Sequence, residues 1–140
     1  IPFRIAEAAI YTKAGQSEIA LDLLEEALDV SPNNYPLSAS YAQALLAARK
    51  PHEALEVLTN LSIRRPNDEY AWYLLAEAYG LANNIPGVHE ARAEFFVLNA
   101  NYDQAIKQLG YALPLVRHNF QQTARIKQRL EDIWMMKDGG

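Results

Sequence analysis

Ala20, Leu24, Ala27 and Pro32 recur as Ala54, Leu58, Leu61 and Pro66, each 34 residues further along a chain of 140. A fixed interval of this size points to copies of one supersecondary unit, here two helices and a turn, that cannot bury its apolar face alone. Stacked copies share a continuous core, so the interval predicts an all-α scaffold. Ala20, Leu21, Leu24, Ala27 and Leu28 follow one another at spacings of three and four. This apolar stripe is wide enough for a helix that faces two neighbours.

The punctuation places the helices. Pro2 suits a first helical turn, where its missing N–H is not needed, and that helix runs to about Ala14, with Gly15 supplying a left-handed end. Ser17 is expected to cap a second helix to Val30. Further helices are predicted from Pro36 to Ala48, Pro51 to Arg64, Glu69 to Ala82 and Pro86 to Leu98. A seventh carries Ala105, Leu109 and Ala112 and stops or kinks at Pro114, whose ring blocks the bond to the Gly110 carbonyl. The eighth spans Phe120 to Met136. Pro32-Asn33-Asn34 and Pro66-Asn67-Asp68 punctuate alike.

Trp72, Leu75, Ala76 and Tyr79 set a large aromatic, a Leu beside a small residue and a Tyr one turn later. With the 34-residue period, this resembles the tetratricopeptide repeat, where small residues let paired helices approach closely. The period then slips: Ala105, Leu109 and Ala112 copy Ala20, Leu24 and Ala27, but Ala105 lies 51 residues past Ala54, one and a half periods. The helix 86–98 must therefore act as second helix of one repeat and first helix of the next. Val88, Arg92 and Phe95 fit the former role poorly, whereas Ala93 and Phe96 fit the latter. The expectation is one domain over 1–140, a right-handed superhelix of about eight antiparallel helices with a half-repeat shift near 86–98. Its repeats cover about 1–34, 35–68, 69–98 and 86–117, and a capping helix at 118–136 turns Gln121, Gln122, Arg125, Lys127, Gln128 and Arg129 outward.

Composition removes several function classes. A net charge of -4 with thirteen scattered basic residues is no footprint for nucleic acid, which needs clustered Lys and Arg against phosphates. No apolar run approaches the roughly 20 residues of a membrane span, and the absence of Cys removes disulfides and thiolate metal sites. A zinc-protease helix needs a second His one turn after His-Glu; after His89-Glu90 that place holds Ala93, and after His52-Glu53 it holds Glu56. Both His are expected on helix surfaces, and His118 at a helix boundary. No phosphate loop or nucleophile elbow is present, and Glu25-Glu26 and Glu131-Asp132 read as solvated faces. The expectation is no catalytic, cofactor-binding or metal-ligating residue. The opening Ile1-Pro2-Phe3-Arg4 has no initiator Met or signal segment and reads as an excised piece, and the closing Gly139-Gly140 reads as a frayed end.

Binding remains. First helices of each repeat line a concave wall, and their non-core side should show Ser40 and Gln43 in the third helix, Tyr70, Tyr73 and Glu77 in the fifth, and Glu90 and Glu94 in the sixth. Tyrosines give contact area with few rotors; the three glutamates would make that end of the groove acidic. The blander alternatives are that the tyrosines pack between repeats and that the carboxylates are merely solvated. A carboxylate clamp of the kind used by chaperone-binding repeats is absent, since its places hold Ile5, Ala9, Ser40, Tyr70 and Leu74.

Longer segments carry a narrower resemblance. Arg4-Ile5-Ala6-Glu7-Ala8-Ala9-Ile10-Tyr11, Asn34-Tyr35-Pro36-Leu37, Tyr41-Ala42-Gln43-Ala44-Leu45-Leu46, His89 to Phe96 and Tyr102-Asp103-Gln104-Ala105-Ile106 are similar to the C-terminal tetratricopeptide region of bacterial M48-family zinc metalloproteases, the BepA-like group. Arg125-Ile126 and Leu130 to Ile133 fit its closing helix. The resemblance implies a periplasmic parent enzyme that degrades or assists outer-membrane proteins during assembly. Zinc would be held only in a protease domain before Ile1. It also implies that the repeats engage substrate proteins, the barrel-assembly machinery and the parent's own protease domain. A free-standing adaptor of the pilus-assembly or lipoprotein kind shares the fold and needs no protease.

Overall fold

The computed structural model describes residues 2–139, and these form eight α-helices: α1 (Pro2–Lys13), α2 (Ser17–Val30), α3 (Tyr35–Ala47), α4 (Pro51–Arg64), α5 (Glu69–Leu81), α6 (Ile85–Leu98), α7 (Tyr102–Ala112) and α8 (Phe120–Gly139). A 3₁₀ turn, Leu113–Leu115, follows α7. It contains Pro114, as expected from a residue that cannot continue the α-helical bonding. Ile1 and Gly140 lie outside the described residues.

Two kinds of turn join the helices, alternating as far as α5. At the turns after α1, α3, α5 and α6 one residue is left-handed: Gly15 (φ 78°), Arg49 (φ 60°), Asn83 (φ 59°) and Ala100 (φ 58°). All four carry the same pair of closing bonds. Arg49 N–H donates to the Leu46 carbonyl and Lys50 N–H to that of Leu45, and the pairs recur at Gly15/Gln16, Asn83/Asn84 and Ala100/Asn101. This is the Schellman end, which satisfies carbonyls that a helix terminus leaves unpaired. The left-handed residues are spaced by 34, 34 and then 17. The half-repeat shift is therefore written in the backbone: α6 begins after a turn of this kind and ends in another.

The other turns are closed by side-chain caps. Asn34 Oδ1 accepts from Leu37 N–H at 3.0 Å, Asp68 Oδ1 from Tyr70 N–H at 3.1 Å, and Asn119 Oδ1 from Gln122 N–H at 3.0 Å. Asn84 and Asn101 cap α6 and α7 in the same way, satisfying an orphan first-turn donor. The expectation for Ser17 is corrected. It is the first residue of α2, while Gln16 takes the cap position without a side-chain bond, because the Schellman end of α1 already holds the backbone there.

The helices form two compact units, one up to Pro66 and one from Asn67. In the first, α1 packs on α2, α2 on α3, α3 on α4 and α1 on α3. Its core holds Ala8, Ala20, Leu21, Leu24, Leu37, Ala42, Leu45, Ala54, Leu58 and Leu61, all fully buried. In the second, α6 packs on both α5 and α7, and α7 on α8. Ala93 of α6, Ala105, Leu109 and Ala112 of α7, and Ile126 and Ile133 of α8 form one buried cluster with Phe96 against it. Ala93 and Phe96 thus act as first-helix markers toward α7, as the half-repeat requires.

Some core assignments shift by one helical position. Ala71, Leu74, Leu75 and Ala78 are the buried residues of α5, whereas Trp72, Ala76 and Tyr79 are half-buried. Leu74 is therefore core rather than groove wall. Ala27 and Leu28 are likewise half-buried.

Candidate functional site

The second unit carries two clefts, one on each side of Trp72, which lines both. The first, of about 390 Å³, lies between α5 and α6 and is bounded by Tyr73, Ala76, Glu77, Gly80, Val88, Arg92, Phe95 and Phe96. Its aromatic end is a train of rings. Tyr70 stacks on Tyr73 with centroids 6.2 Å apart and planes 11° apart, Tyr73 meets Phe95 tilted at 6.2 Å, and Phe95 meets Phe96 edge-on at 5.8 Å. These separations are those of mutually attractive aromatic pairs. Tyr73 nevertheless keeps 50% of its surface exposed, so the train is not buried.

The second cleft, of about 580 Å³, lies between α5, α6 and α8 over a floor of Gly87, Ala91, Leu109 and Ile126. Here two rungs join α6 to α8. Arg125 donates to both Glu90 oxygens at 3.0 Å, and Arg129 donates to both Glu94 oxygens at 2.7 Å. Each is the two-bond fork that matches guanidinium to carboxylate. Glu90 and Glu94 are one helical turn apart, as are Arg125 and Arg129, so the rungs form as a pair. The hydrogen bonds that Arg129 donates to Glu94 hold its guanidinium above its ordinary range, against the opposing effect of burial. Burial, and then the Glu90 charge, push the Tyr79 phenol up, opposed by Arg125.

The acidic groove end expected from the sequence is thereby revised: Glu90 and Glu94 are neutralised by α8. Arg125 stays exposed, as expected, yet by the same bonds both Arg125 and the half-buried Arg129 reach across to α6. The other expected residues sort as follows. Tyr70, Tyr73 and Glu77 are exposed on α5, with Tyr73 and Glu77 in the first cleft. In the first unit, Gln43 is exposed and Ser40 half-buried on α3. Arg92, Phe95 and Phe96 belong to the first cleft and were not singled out for binding. The available signal was the misfit of Arg92 and Phe95 as second-helix markers.

His52 is exposed, as expected of a helix-surface residue, and His118 is exposed beside the Asn119 cap. His89 is half-buried, its Nδ1 donating to Gln108 Oε1 at 2.8 Å with its ring 5.4 Å from that of Tyr111. Among the described residues no group of three His, Asp or Glu is placed to hold a metal ion, and no helix is long and apolar enough to cross a membrane.

Comparison with known proteins agrees with this architecture. Residues 11–78 match the tetratricopeptide repeat family. The beta-barrel assembly-enhancing protease of Escherichia coli strain K12 is 31% identical over 119 residues, which is 85% of this chain and 24% of that protein. The chain thus spans about a quarter of the length of the proteases it matches. Among solved structures, MamA 41-end from Desulfovibrio magneticus RS-1 has a TM-score of 0.63 at 18% identity, covering 97% of this chain and 75% of that one. A thermophilic TPR protein of Thermus thermophilus has a TM-score of 0.53 at 20% identity, covering 97% and 82%. These last two speak to the fold alone. The repeat fold is non-catalytic, and the chain covers only the repeat portion of its protease relatives. The chain is a tetratricopeptide-repeat domain, homologous over 85% of its length to the C-terminal part of the beta-barrel assembly-enhancing proteases.

Proposed function

We propose that this chain acts as one protein-binding domain, the substrate-binding, partner-binding and regulatory arm of a periplasmic zinc metalloprotease that works in outer-membrane protein assembly and quality control. The observation that carries this reading is the homology, which runs through 85% of the chain yet reaches only 24% of the protease relative. Zinc and peptide-bond cleavage belong to another region of the parent chain. The repeats contribute by position. They hold outer-membrane proteins, the barrel-assembly machinery or the parent's own protease domain, and so raise a partner's effective concentration near the active site. Tyr70, Tyr73 and Glu77 supply the contact surface of the second unit, and Ser40 and Gln43 that of the first. Glu90 and Glu94 act through the α6–α8 rungs.

The test is made on the native parent. Its sequence should carry a separate region with His-Glu-x-x-His on a helix, the arrangement that ligates zinc and supplies a base. Deleting residues 1–140 should leave casein hydrolysis by that region intact while abolishing its recovery with outer-membrane assembly proteins. A parent without that motif, or a deletion that leaves partner recovery unchanged, would overturn the reading.

A further inference from the structure

α8 is fastened to its neighbours more by charge than by apolar burial. Of its 20 residues only Ile126 and Ile133 are fully buried, with Leu130 half-buried against the same cluster. The shorter α6 buries Gly87, Val88, Ala91 and Ala93, and the 11-residue α7 buries Ala105, Leu109 and Ala112. Hydrophobic hold scales with the apolar area buried, so α8 is the lightly held member. Ion pairs supply much of the rest. Besides the Arg125–Glu90 and Arg129–Glu94 rungs to α6, Lys137 Nζ lies 2.7 Å from Asp103 of α7. The side chains of these three pairs keep between 23% and 72% of their surface exposed, so water and salt reach them. The start of α8 is bound instead to the turn before it: Thr123 Oγ1 donates to the Val116 carbonyl at 3.0 Å, and Asn119 Oδ1 accepts from Gln122 N–H. The break in the backbone ladder falls one step earlier, in the 3₁₀ turn Leu113–Leu115 with Pro114. A helix tied to the turn at its own start, a short joint before that turn and exposed pairs along its length make a hinged element.

We propose that α8 is a charge-latched flap, which lifts as one body about the Leu113–Leu115 turn while α5, α6 and α7 stay folded. Lifting breaks both rungs and the Lys137–Asp103 pair, and it withdraws Ile126 and Ile133 from the cluster they share with Ala93, Leu109 and Ala112. It also leaves Glu90 and Glu94 uncompensated on the wall of the 580 Å³ cleft. The flap thus sets whether this face of α6 is covered and neutral or open and acidic. Two-bond forks suit a latch because they close in one alignment only, so α8 returns to a single register. The proposal concerns the second unit alone and is independent of the protease reading.

The experiment is native-state hydrogen exchange of the intact chain, read amide by amide by NMR in dilute buffer and in about 1 M sodium chloride, where screening shortens to about 3 Å. Amides from Ile126 to Ile133 should share one level of protection, at least about tenfold below that of the buried stretches of α5, α6 and α7. Salt should lower the α8 level several-fold further and leave the other three helices unchanged. Arg125→Met combined with Arg129→Met should do the same in dilute buffer and remove most of the salt response, whereas Lys127→Met, at an exposed position of α8, should not. Protection in α8 equal to that in α6 and α7 overturns the proposal, because α8 would then open only when the unit unfolds. A steady fall in protection toward Gly139 overturns it as well, since that is fraying from one end rather than lifting of one body. So does a salt response shared by all four helices. If the double variant fails to fold, the salt series on the native chain decides alone.

Discussion

Replacing Gly87 by Ala should destabilise the protein by about 1 kcal/mol, although the same change at a helical glycine ordinarily stabilises. Gly87 is buried in the first turn of α6, and a Cβ there would lie 2.6, 2.7 and 3.0 Å from three ring carbons of Tyr79. Carbon atoms rest at about 3.5–4.0 Å, so the ring must retreat by roughly 1 Å. Forcing an extra carbon into packed surroundings costs about 1–3 kcal/mol, against a helix-propensity gain of about 1 kcal/mol. Gly110 supplies the control. It is exposed in α7 and a Cβ there meets nothing within 4 Å, so Gly110→Ala should keep the gain of up to about 1 kcal/mol. Thermal and urea melts followed by far-UV circular dichroism would read the two signs. In a chain of this size about 1 kcal/mol moves the midpoint by several degrees. Tyr79→Ala should relieve the conflict and make Gly87→Ala neutral or stabilising in the double variant. If Gly87→Ala stabilises as much as Gly110→Ala in the native background, Tyr79 does not pack on α6 as described.

Other consequences can be measured on the same material. Ala100→Gly should stabilise by about 1 kcal/mol, because Ala100 holds φ 58° where only its Cβ is penalised; a loss in the melt would remove the left-handed turn. Arg129→Met should cost about 1–2 kcal/mol, discounted because the Arg129 and Glu94 side chains keep 30% and 23% of their surface. The swap of Glu94→Arg with Arg129→Glu should recover part of that loss, and recovery should shrink in high salt; no recovery refutes the paired rungs. The Tyr41 phenol, half-buried and donating to Glu25 at 2.9 Å, is raised to about 12 by burial first and Glu25 second. Its folded value lies above the unfolded one of 10.0, so its stabilising contribution is complete below about pH 10 and fades toward about pH 12. The advantage of the native chain over Tyr41→Phe should decline in that window; a difference constant with pH would contradict it.

The helices and the half-repeat were legible because periodicity and punctuation are local. Ala20, Leu24, Ala54, Leu58, Ala105 and Leu109 are all fully buried, and a misplaced marker at Ala105 sufficed to reveal that α6 serves twice. The clefts were less legible, because side-chain pairing across helices depends on register. Glu90 and Glu94 look like free carboxylates until α8 brings Arg125 and Arg129 against them. Those arginines in turn look like an outer polar face, as terminal helices usually have. Phe95 looks like a misfit as a core marker; it is a cleft residue whose ring meets Tyr73 at a tilt. Left-handed Arg49 and Ala100 also carry no composition signal. Only their 34- and 17-residue offsets from Gly15 and Asn83 locate them.

A photoreactive amino acid placed at Tyr73 in the full-length parent protein, with a second at the exposed Lys127 of α8 as control, tests the central claim most directly. The account predicts that position 73 forms a covalent adduct with an outer-membrane assembly protein, and that Glu77→Lys weakens it while helicity is unchanged. Position 127 should form none. No partner adduct at 73, or equal labelling at both positions, would contradict the assignment of this face as the binding surface.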